Sequence, residues 1–194
     1  MTYSNRGKSR AGTEGEREAL SYLKMLSPEY KVYNNVLLRT KGGSTELDIL
    51  VVSPYGLFVI EVKRYSGLIR GSDADRHWLQ IHRNGTARPF YSPVLQNEGH
   101  LRALSSLLNV PLSCIGGLVY FAGDNIDLSY VNSGLVCTRV NILDRVLSYR
   151  APIFNSQQMC YIIGAIEGAN INSPYQRRKH TKYVSRIRGM YEGY

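Results

Sequence analysis

The 194-residue sequence is poor in cysteine and has no long hydrophobic segment. Its three cysteines are widely spaced and outside any CxxC pair: Cys114, Cys137 and Cys160. We therefore expect reduced, half-buried thiols rather than a zinc site or a catalytic thiol. The N-terminus lacks the apolar core of a signal peptide, and no apolar run approaches the ~20 residues of a membrane-spanning helix. These absences predict a cytoplasmic protein that does not engage a membrane.

Acidic residues are scarce at the two ends of the chain. The formal net charge is +9, of which residues 1–10 contribute +3 and residues 171–194 contribute +5. We predict a basic flexible arm at 1–10 and, at 171–194, a basic, tyrosine-rich tail or a closing helix. Such ends suit salt-sensitive contact with the phosphate backbone of nucleic acid, although a role in solubility explains them equally well.

Hydrophobic periodicity predicts a single α/β domain with a mixed sheet. The predicted helices are, in chain order, 13–26, 93–109, 140–149 and 156–168. The predicted strands are 31–39, 46–52, 57–63, 68–70, 78–82, 114–122 and 135–138. We expect the strand after Gly67 to continue the meander formed by the three strands before it. Trp78 is expected in the core.

Two strongly apolar strands are interrupted by three charged residues, Asp48, Glu61 and Lys63, and Glu46 stands at the start of the first strand. Strand side chains alternate between faces, so Glu46 and Asp48 are expected on one face, as are Glu61 and Lys63 on the next strand. The linking residues 53–56 have the chemistry of a tight turn, and the resulting hairpin brings Asp48 beside Glu61. Burying these charges is costly unless they pair or bind a metal. The pattern alone is compatible with two interpretations, a half-exposed salt bridge or a metal site.

The motif TELDILVVSPYGLFVIEVK, residues 45–63, closely resembles the nuclease-related domain (NERD), a family of the PD-(D/E)XK nuclease superfamily. Similar blocks occur in the expected order at 12–20, 65–78 and 92–100. The resemblance covers roughly residues 11 to 120. It implies a restriction-endonuclease-like core of αβββαβ order, with a mixed central β-sheet flanked by helices. We predict that this nuclease-like domain spans 11–170.

The resemblance implies a nuclease that hydrolyses DNA with Mg²⁺ or Mn²⁺. Asp48 and Glu61 would be the metal ligands, with the backbone carbonyl of Val62 as a third. Hard divalent ions prefer such oxygen ligands and retain several waters. Lys63 would orient the attacking water or stabilise charge on the phosphate, and a lysine between carboxylates stays protonated, which favours the second role. A non-catalytic nucleic-acid-binding or adaptor module is the alternative function, although a complete acid–acid–lysine set argues against it.

Two further residues are candidates for the catalytic site. Glu16 lies on the apolar stripe of the first helix, where the superfamily has a glutamate, although helix capping also explains an acid there. Glu14 and Glu18 point further round this helix and are expected in solvent. Gln96 shares a helix face with His100, where related nucleases carry a glutamine that contacts a metal-bound water or phosphate. An ordinary polar helix face is the alternative.

Candidate nucleic-acid contacts lie beside the motif, on the second helix and in the basic tail: Arg64, Tyr65, His100, Arg177, Arg178, Lys179 and Lys182. For His100 we expect a structural role or a contact with phosphate rather than metal ligation. The resemblance also implies a place in DNA processing or repair, with a helicase or topoisomerase-like protein as a separate partner. Many relatives cut duplexes as dimers, so a homodimer is a further expectation.

Overall fold

The computed structural model describes residues 10–181 of the chain. Its α-helices are α1 Arg10–Leu23, α2 Pro93–Leu108, α3 Ile142–Leu147, α4 Ser156–Ala169 and α5, residues 174–181. A 3₁₀ turn covers Leu112–Cys114. The expected basic arm at 1–10 lies almost wholly outside the described residues, as does Lys182. Within residues 10–181, no helix combines the length and apolar character needed to cross a bilayer.

The strands form two mixed sheets. They are β1 Lys31–Thr40, β2 Gly43–Ser53, β3 Gly56–Lys63, β4 Gly67–Ser72, β5 His77–Ile81, β6 Ala87–Tyr91, β7 Ile115–Phe121, β8 Ile126–Asn132 and β9 Val136–Cys137. The first sheet has the order β1-β2-β3-β7-β9, with β1 to β3 antiparallel and β7 and β9 parallel to β3. With α1 before it and α2 between β3 and β7, this sheet confirms the predicted αβββαβ core.

The first sheet is covered on both faces, which explains why its central strands are almost continuously apolar. Ile49, Val51 and Ile60 pack with α1 and α3 on one face. Leu50 and Val59 pack with α2 and α4 on the other face. Helix α2, which carries two of the candidate site residues, therefore lies across β2 and β3.

Local signals define both ends of α2. The Ser92 side chain accepts a hydrogen bond from the Leu95 amide at 3.4 Å, and Pro93 occupies the first turn, where a missing N–H is harmless. Asn109 ends the helix in a left-handed conformation with φ 52°, which asparagine tolerates better than most residues. The predicted span of 93–109 is thus confirmed to within a residue.

The prediction that the strand after Gly67 continues the meander is wrong. Strand β4 leaves the first sheet and joins a second one, of order β6-β5-β4-β8. Its other neighbour, β8, is parallel to it and begins more than 50 residues later. Trp78 is fully buried between the sheets, as expected, and stacks on Phe121 with ring centroids 6.2 Å apart. Gly71 makes room for it, because a Cβ there would overlap the indole ring.

Candidate active site

Strand β2 departs from regular alternation at Asp48. Leu47 packs in the same apolar layer as Leu50, three residues further on, so the face that β2 presents to α2 changes between them. The β1–β2 ladder pairs Val36 with Leu47 and Asn34 with Ile49. Asn35 lies opposite Asp48 with φ 56°, a conformation that asparagine adopts readily. Glu46 therefore does not share a face with Leu50, as unbroken alternation from Glu46 through Asp48 would require.

Asp48 is held against the neighbouring strand by a backbone amide. The β2–β3 ladder runs from the Ser53–Gly56 pair to the Ile49–Ile60 pair. Just beyond it, the Val62 N–H donates to Asp48 Oδ2 at 3.0 Å. The carboxylate thus takes the place of a strand carbonyl where the ladder ends. As predicted, Asp48 and Glu61 lie at neighbouring positions of the β2–β3 pair.

Glu61 and Lys63 form a buried ion pair at the end of β3. Lys63 Nζ donates to Glu61 Oε1 at 2.6 Å, with side-chain exposures of 11% for the lysine and 3% for the glutamate. Lys63 also donates to Gln96 Oε1 on α2 at 2.9 Å. The half-exposed salt bridge considered from the sequence is thus a buried pair, and Gln96 belongs to the same hydrogen-bonded group.

His100 contacts the second oxygen of Glu61. Its Nε2 lies 3.2 Å from Glu61 Oε2, and its Nδ1 lies 2.7 Å from the Thr45 hydroxyl. Because an ionised carboxylate only accepts hydrogen bonds, Nε2 donates to Glu61 while Nδ1 pairs with the Thr45 hydroxyl. Gln96 and His100 lie one turn apart on α2, where Gln96 accepts from Lys63 and His100 contacts Glu61 directly.

The charges of the pair are mutually stabilised. Burial alone would raise the pKa of Glu61, but the charge of Lys63 and the hydrogen bond from His100 outweigh it and hold that pKa well below its ordinary value. Burial alone would lower the pKa of Lys63, but the charge of Glu61 outweighs it and raises that pKa. At neutral pH the site therefore contains an ionised carboxylate and a protonated lysine.

Helix α1 brings Glu16 close to the end of β3. Glu16 is buried, with 6% of its surface exposed. The preceding residue, Gly15, packs so closely that a Cβ there would lie 3.2 Å from Val62 Cγ1. The absence of that Cβ lets the helix approach the strand that carries Glu61. Glu16 is therefore the α1 acid positioned on the core side, as the helical stripe predicted.

The prediction that Glu14 and Glu18 both lie in solvent is wrong. Glu18 accepts hydrogen bonds from the Tyr120 hydroxyl at 2.8 Å and from the Gly123 amide at 3.1 Å. Burial and the bond to Glu18 raise the pKa of Tyr120. Glu14 forms an ion pair with Arg64, and about a third of each side chain is exposed. Both acids thus tie α1 to the segments that follow β3 and β7.

The candidate nucleic-acid contacts fall into two groups. Tyr65 is half-buried and packs against Phe90 with ring centroids 4.7 Å apart, and His100 is buried against Glu61. Arg177 of α5 donates to the Asn35 carbonyl at 3.0 Å and is half-buried. Arg178 and Lys179 are exposed on α5. These two residues remain the accessible cations of the predicted tail within the described residues of α5.

Two residues that support the site were not predicted. Asn97 donates from Nδ2 to the Val59 carbonyl at 3.0 Å and to the Leu118 carbonyl at 2.9 Å, which fixes α2 across β3 and β7. His180 of α5 contacts the Ser44 hydroxyl at 2.9 Å through Nδ1. Asn97 was missed because a polar residue next to Gln96 on a helix is not unusual in sequence. His180 was missed because the polar, basic composition of its segment does not indicate a buried histidine.

Metal ligands are few in this region. In the part of the chain that the structure describes, no cluster of three or more histidine, cysteine, aspartate or glutamate side chains is arranged to hold a metal ion. Asp48 and Glu61 are the carboxylates that the β2–β3 pairing brings together. Any ion bound there would rely on these two side chains, backbone oxygen and water.

Comparison with known proteins shows the family of this chain. The family model described as the nuclease-related domain matches residues 11–122, which include every candidate from Glu16 to His100. A Bacillus anthracis protein described as uncharacterized is 30% identical to this chain, over 89% of the chain and 83% of that protein. The similarity to this relative therefore extends beyond the matched domain.

Proposed function

Because the chain belongs to the nuclease-related domain family, we propose that it is a metal-dependent nuclease that hydrolyses phosphodiester bonds of DNA. The observation that carries this proposal is the convergence of Asp48, Glu61 and Lys63 where β2 and β3 part. Two carboxylates and a protonated lysine match the three needs of the reaction: an activated water, a neutralised phosphate and a stabilised transition state.

We propose Asp48, Glu61 and the Val62 carbonyl as the ligands of Mg²⁺ or Mn²⁺. Mg²⁺ is commonly bound through one or two carboxylates and keeps several waters, so a pair of acids is sufficient. Each carboxylate oxygen has two lone-pair sites, so Glu61 can accept its bonds from Lys63 and His100 and still bind an ion. The ion would supply an activated water and neutralise charge on the phosphate.

Lys63 is the proposed electrostatic catalyst. Its ammonium group is held between Glu61 Oε1 and Gln96 Oε1, which leaves one of its three protons for a phosphate oxygen. Its raised pKa keeps the charge in place over the whole physiological range. Gln96 would then act by orienting the lysine, and Glu16 would be a third acid of the site.

Two observations favour the alternative, a non-catalytic nucleic-acid-binding or adaptor module. Among residues 10–181 there is no three-ligand metal cluster, and the Glu61 carboxylate is already paired with a lysine. A domain that retained the fold without the reaction would bind DNA equally well with or without a divalent ion.

A cleavage assay separates the two functions. Purified protein is incubated with Mg²⁺, Mn²⁺ or a chelator on circular and linear DNA, single- and double-stranded, with RNA of the same sequence for comparison. We expect divalent-dependent cleavage that is lost in Glu61→Gln and retained in Glu98→Gln, a matched change of an exposed acid on α2. DNA binding without cleavage under every condition would support the alternative.

We further propose a cytoplasmic role in DNA processing or repair. The three cysteines are free thiols, which suits a reducing compartment. A helicase or topoisomerase-like protein as a separate partner, and a homodimer, complete this proposal. Co-purification from a cytoplasmic extract and sedimentation of the isolated protein test these two associations directly.

A further inference from the structure

Glu61 needs more than Lys63 to fix its orientation. The last torsion of a glutamate side chain, χ3, joins sp³ and sp² carbons and has a broad energy profile. A single hydrogen bond to Oε1 therefore leaves the plane of the carboxylate free to turn. The second bond, from His100 Nε2 to Oε2 at 3.2 Å, removes that freedom. A carboxylate held at both oxygens presents its remaining lone pairs in one direction.

His100 is itself held from the opposite side. Its Nδ1 lies 2.7 Å from the Thr45 hydroxyl, and only 7% of the histidine is exposed. Thr45 is β-branched and lies within β2, so its χ1 is restricted. The hydroxyl therefore sets the rotation of the imidazole, which in turn sets the direction of the bond to Glu61.

The strand segment that carries Thr45 is fixed on its other face. The residues on either side of it contact α5: the Ser44 hydroxyl lies 2.9 Å from His180 Nδ1, and the Glu46 carboxylate pairs with Arg177 at 3.5 Å. On the α2 side, Asn97 holds the helix to two strand carbonyls. Both ends of the Thr45–His100 contact are thus anchored to rigid elements.

We propose that Thr45 and His100 are positioning residues for Glu61, which pre-orient its carboxylate for the divalent ion. This inference rests on the proposed function, since it assigns two residues to the same metal site. Partners that orient a metal ligand from behind commonly contribute 10- to 100-fold to metal affinity. His100 is buried and both its ring nitrogens are engaged, so a direct contact with phosphate does not account for its position.

The test uses Thr45→Val, which keeps the shape of the side chain but removes the hydroxyl. Mn²⁺ binding to the full chain is measured by electron paramagnetic resonance and by calorimetry, without substrate. We expect Thr45→Val to weaken Mn²⁺ binding about 10-fold or more, and Thr45→Ser, which restores the hydroxyl, to return it to within about 3-fold of wild type. Thr40→Val, at an exposed end of β1, should leave binding unchanged.

Each outcome of this test decides the matter. If wild type binds Mn²⁺ and Thr45→Val binds it as tightly, the positioning role is overturned while the nuclease proposal stands. If Thr45→Ser binds as weakly as Thr45→Val, or if the affinity falls only in step with the urea midpoint of unfolding, the hydroxyl is merely structural and the inference fails. If wild type binds no Mn²⁺, the metal-dependent function fails, and this inference fails with it.

Discussion

Replacing Lys63 with methionine tests how the charges of the site are balanced. Methionine keeps an apolar stem of similar length but removes the ammonium group that donates to Glu61 and Gln96. Glu61 remains buried, with 3% of its side chain exposed, and of the two partners described above it keeps His100. The variant therefore contains a buried carboxylate whose main counter-charge is gone.

The expected loss of stability follows from that burial. Removing one partner of a buried ion pair typically costs about 3–5 kcal/mol, because the remaining charge is left uncompensated. Since His100 still contacts Glu61, we expect the lower end, about 3 kcal/mol, in urea unfolding at pH 7. The double variant Glu61→Gln with Lys63→Met should recover most of this loss, because it contains neither charge.

The loss should also depend on pH with a defined sign. In wild type the depressed pKa of Glu61 gives stability that is fully present above the unfolded-state value near 4.5 and is lost as the pH falls through the folded-state value. The raised pKa of Lys63 gives stability present below its ordinary value of 10.5 and lost at higher pH. Without Lys63, the main cause that lowers the pKa of Glu61 is gone while burial still raises it, so we expect acidification to protonate this carboxylate at a higher pH than in wild type and to relieve the penalty.

The comparison is therefore made at two pH values. We expect the deficit of Lys63→Met relative to wild type to shrink between pH 7 and pH 4.5. Lys179→Met, the same change at an exposed position of α5, should alter stability by no more than about 0.5 kcal/mol. A deficit below about 1 kcal/mol at pH 7, or one that is equal at both pH values, would refute the buried-pair reasoning.

Three further predictions address the metal site, the second sheet and the exposed cations of α5. Asp48→Asn should abolish divalent-dependent cleavage while far-ultraviolet circular dichroism stays native, and full activity in this variant would remove Asp48 from the ligand set. Gly71→Ala should destabilise the protein by about 1–3 kcal/mol in urea unfolding, because its Cβ overlaps Trp78, and a neutral result would contradict that packing. Arg178→Gln combined with Lys179→Gln should weaken DNA binding and make the log–log salt dependence shallower by about 0.9 for each phosphate that the protein no longer neutralises, with an unchanged melting temperature. A salt slope equal to that of wild type would exclude α5 from the DNA interface.

The elements around the motif could be predicted because their signals are local. The apolar strands, the turn chemistry of residues 53–56 and the Ser92–Pro93 helix start each depend on residues close in sequence. Those elements alone bring Asp48 beside Glu61. The position of Gln96 on α2 could also be predicted, because it is set by the helix start at Ser92 and Pro93.

The features that were wrongly predicted depend on distant partners. Strand β4 pairs in parallel with β8, and no local pattern distinguishes such a strand from one that extends a meander. The break in alternation between Leu47 and Leu50 lies near Asn35 of the neighbouring strand, whose left-handed conformation leaves no local signal in the sequence of β2. Glu18 was expected in solvent because its hydrogen-bond donors, Tyr120 and Gly123, lie more than 100 residues away.

Arg177 shows that the charge composition of a segment does not predict which of its charges are exposed. The tail is strongly basic in sequence, yet this arginine is used inside the protein, where it bonds to the Asn35 carbonyl and Glu46. Composition records how many charges a segment carries, but not which of them find internal acceptors. Helix α5 thus contributes both Arg177, which pairs with Glu46 of β2, and the exposed cations Arg178 and Lys179.

Strands β5 and β6 of the second sheet lie between β3 and α2 in the chain, and their connecting turn has a practical consequence for labelling the protein. The β5–β6 turn is closed by local bonds, from the Gly85 amide to the His82 carbonyl and from the Thr86 amide to Asn84 Oδ1. A Cβ on Gly85 would meet no other atom within 4 Å, and the turn is exposed. Lengthening such a loop costs only about 0.6 kcal/mol per doubling, so an epitope or a fluorophore-binding peptide inserted there should be tolerated. The turn thus offers a place to attach a reporter within the chain while both termini, and every residue of the proposed site, keep their native sequence.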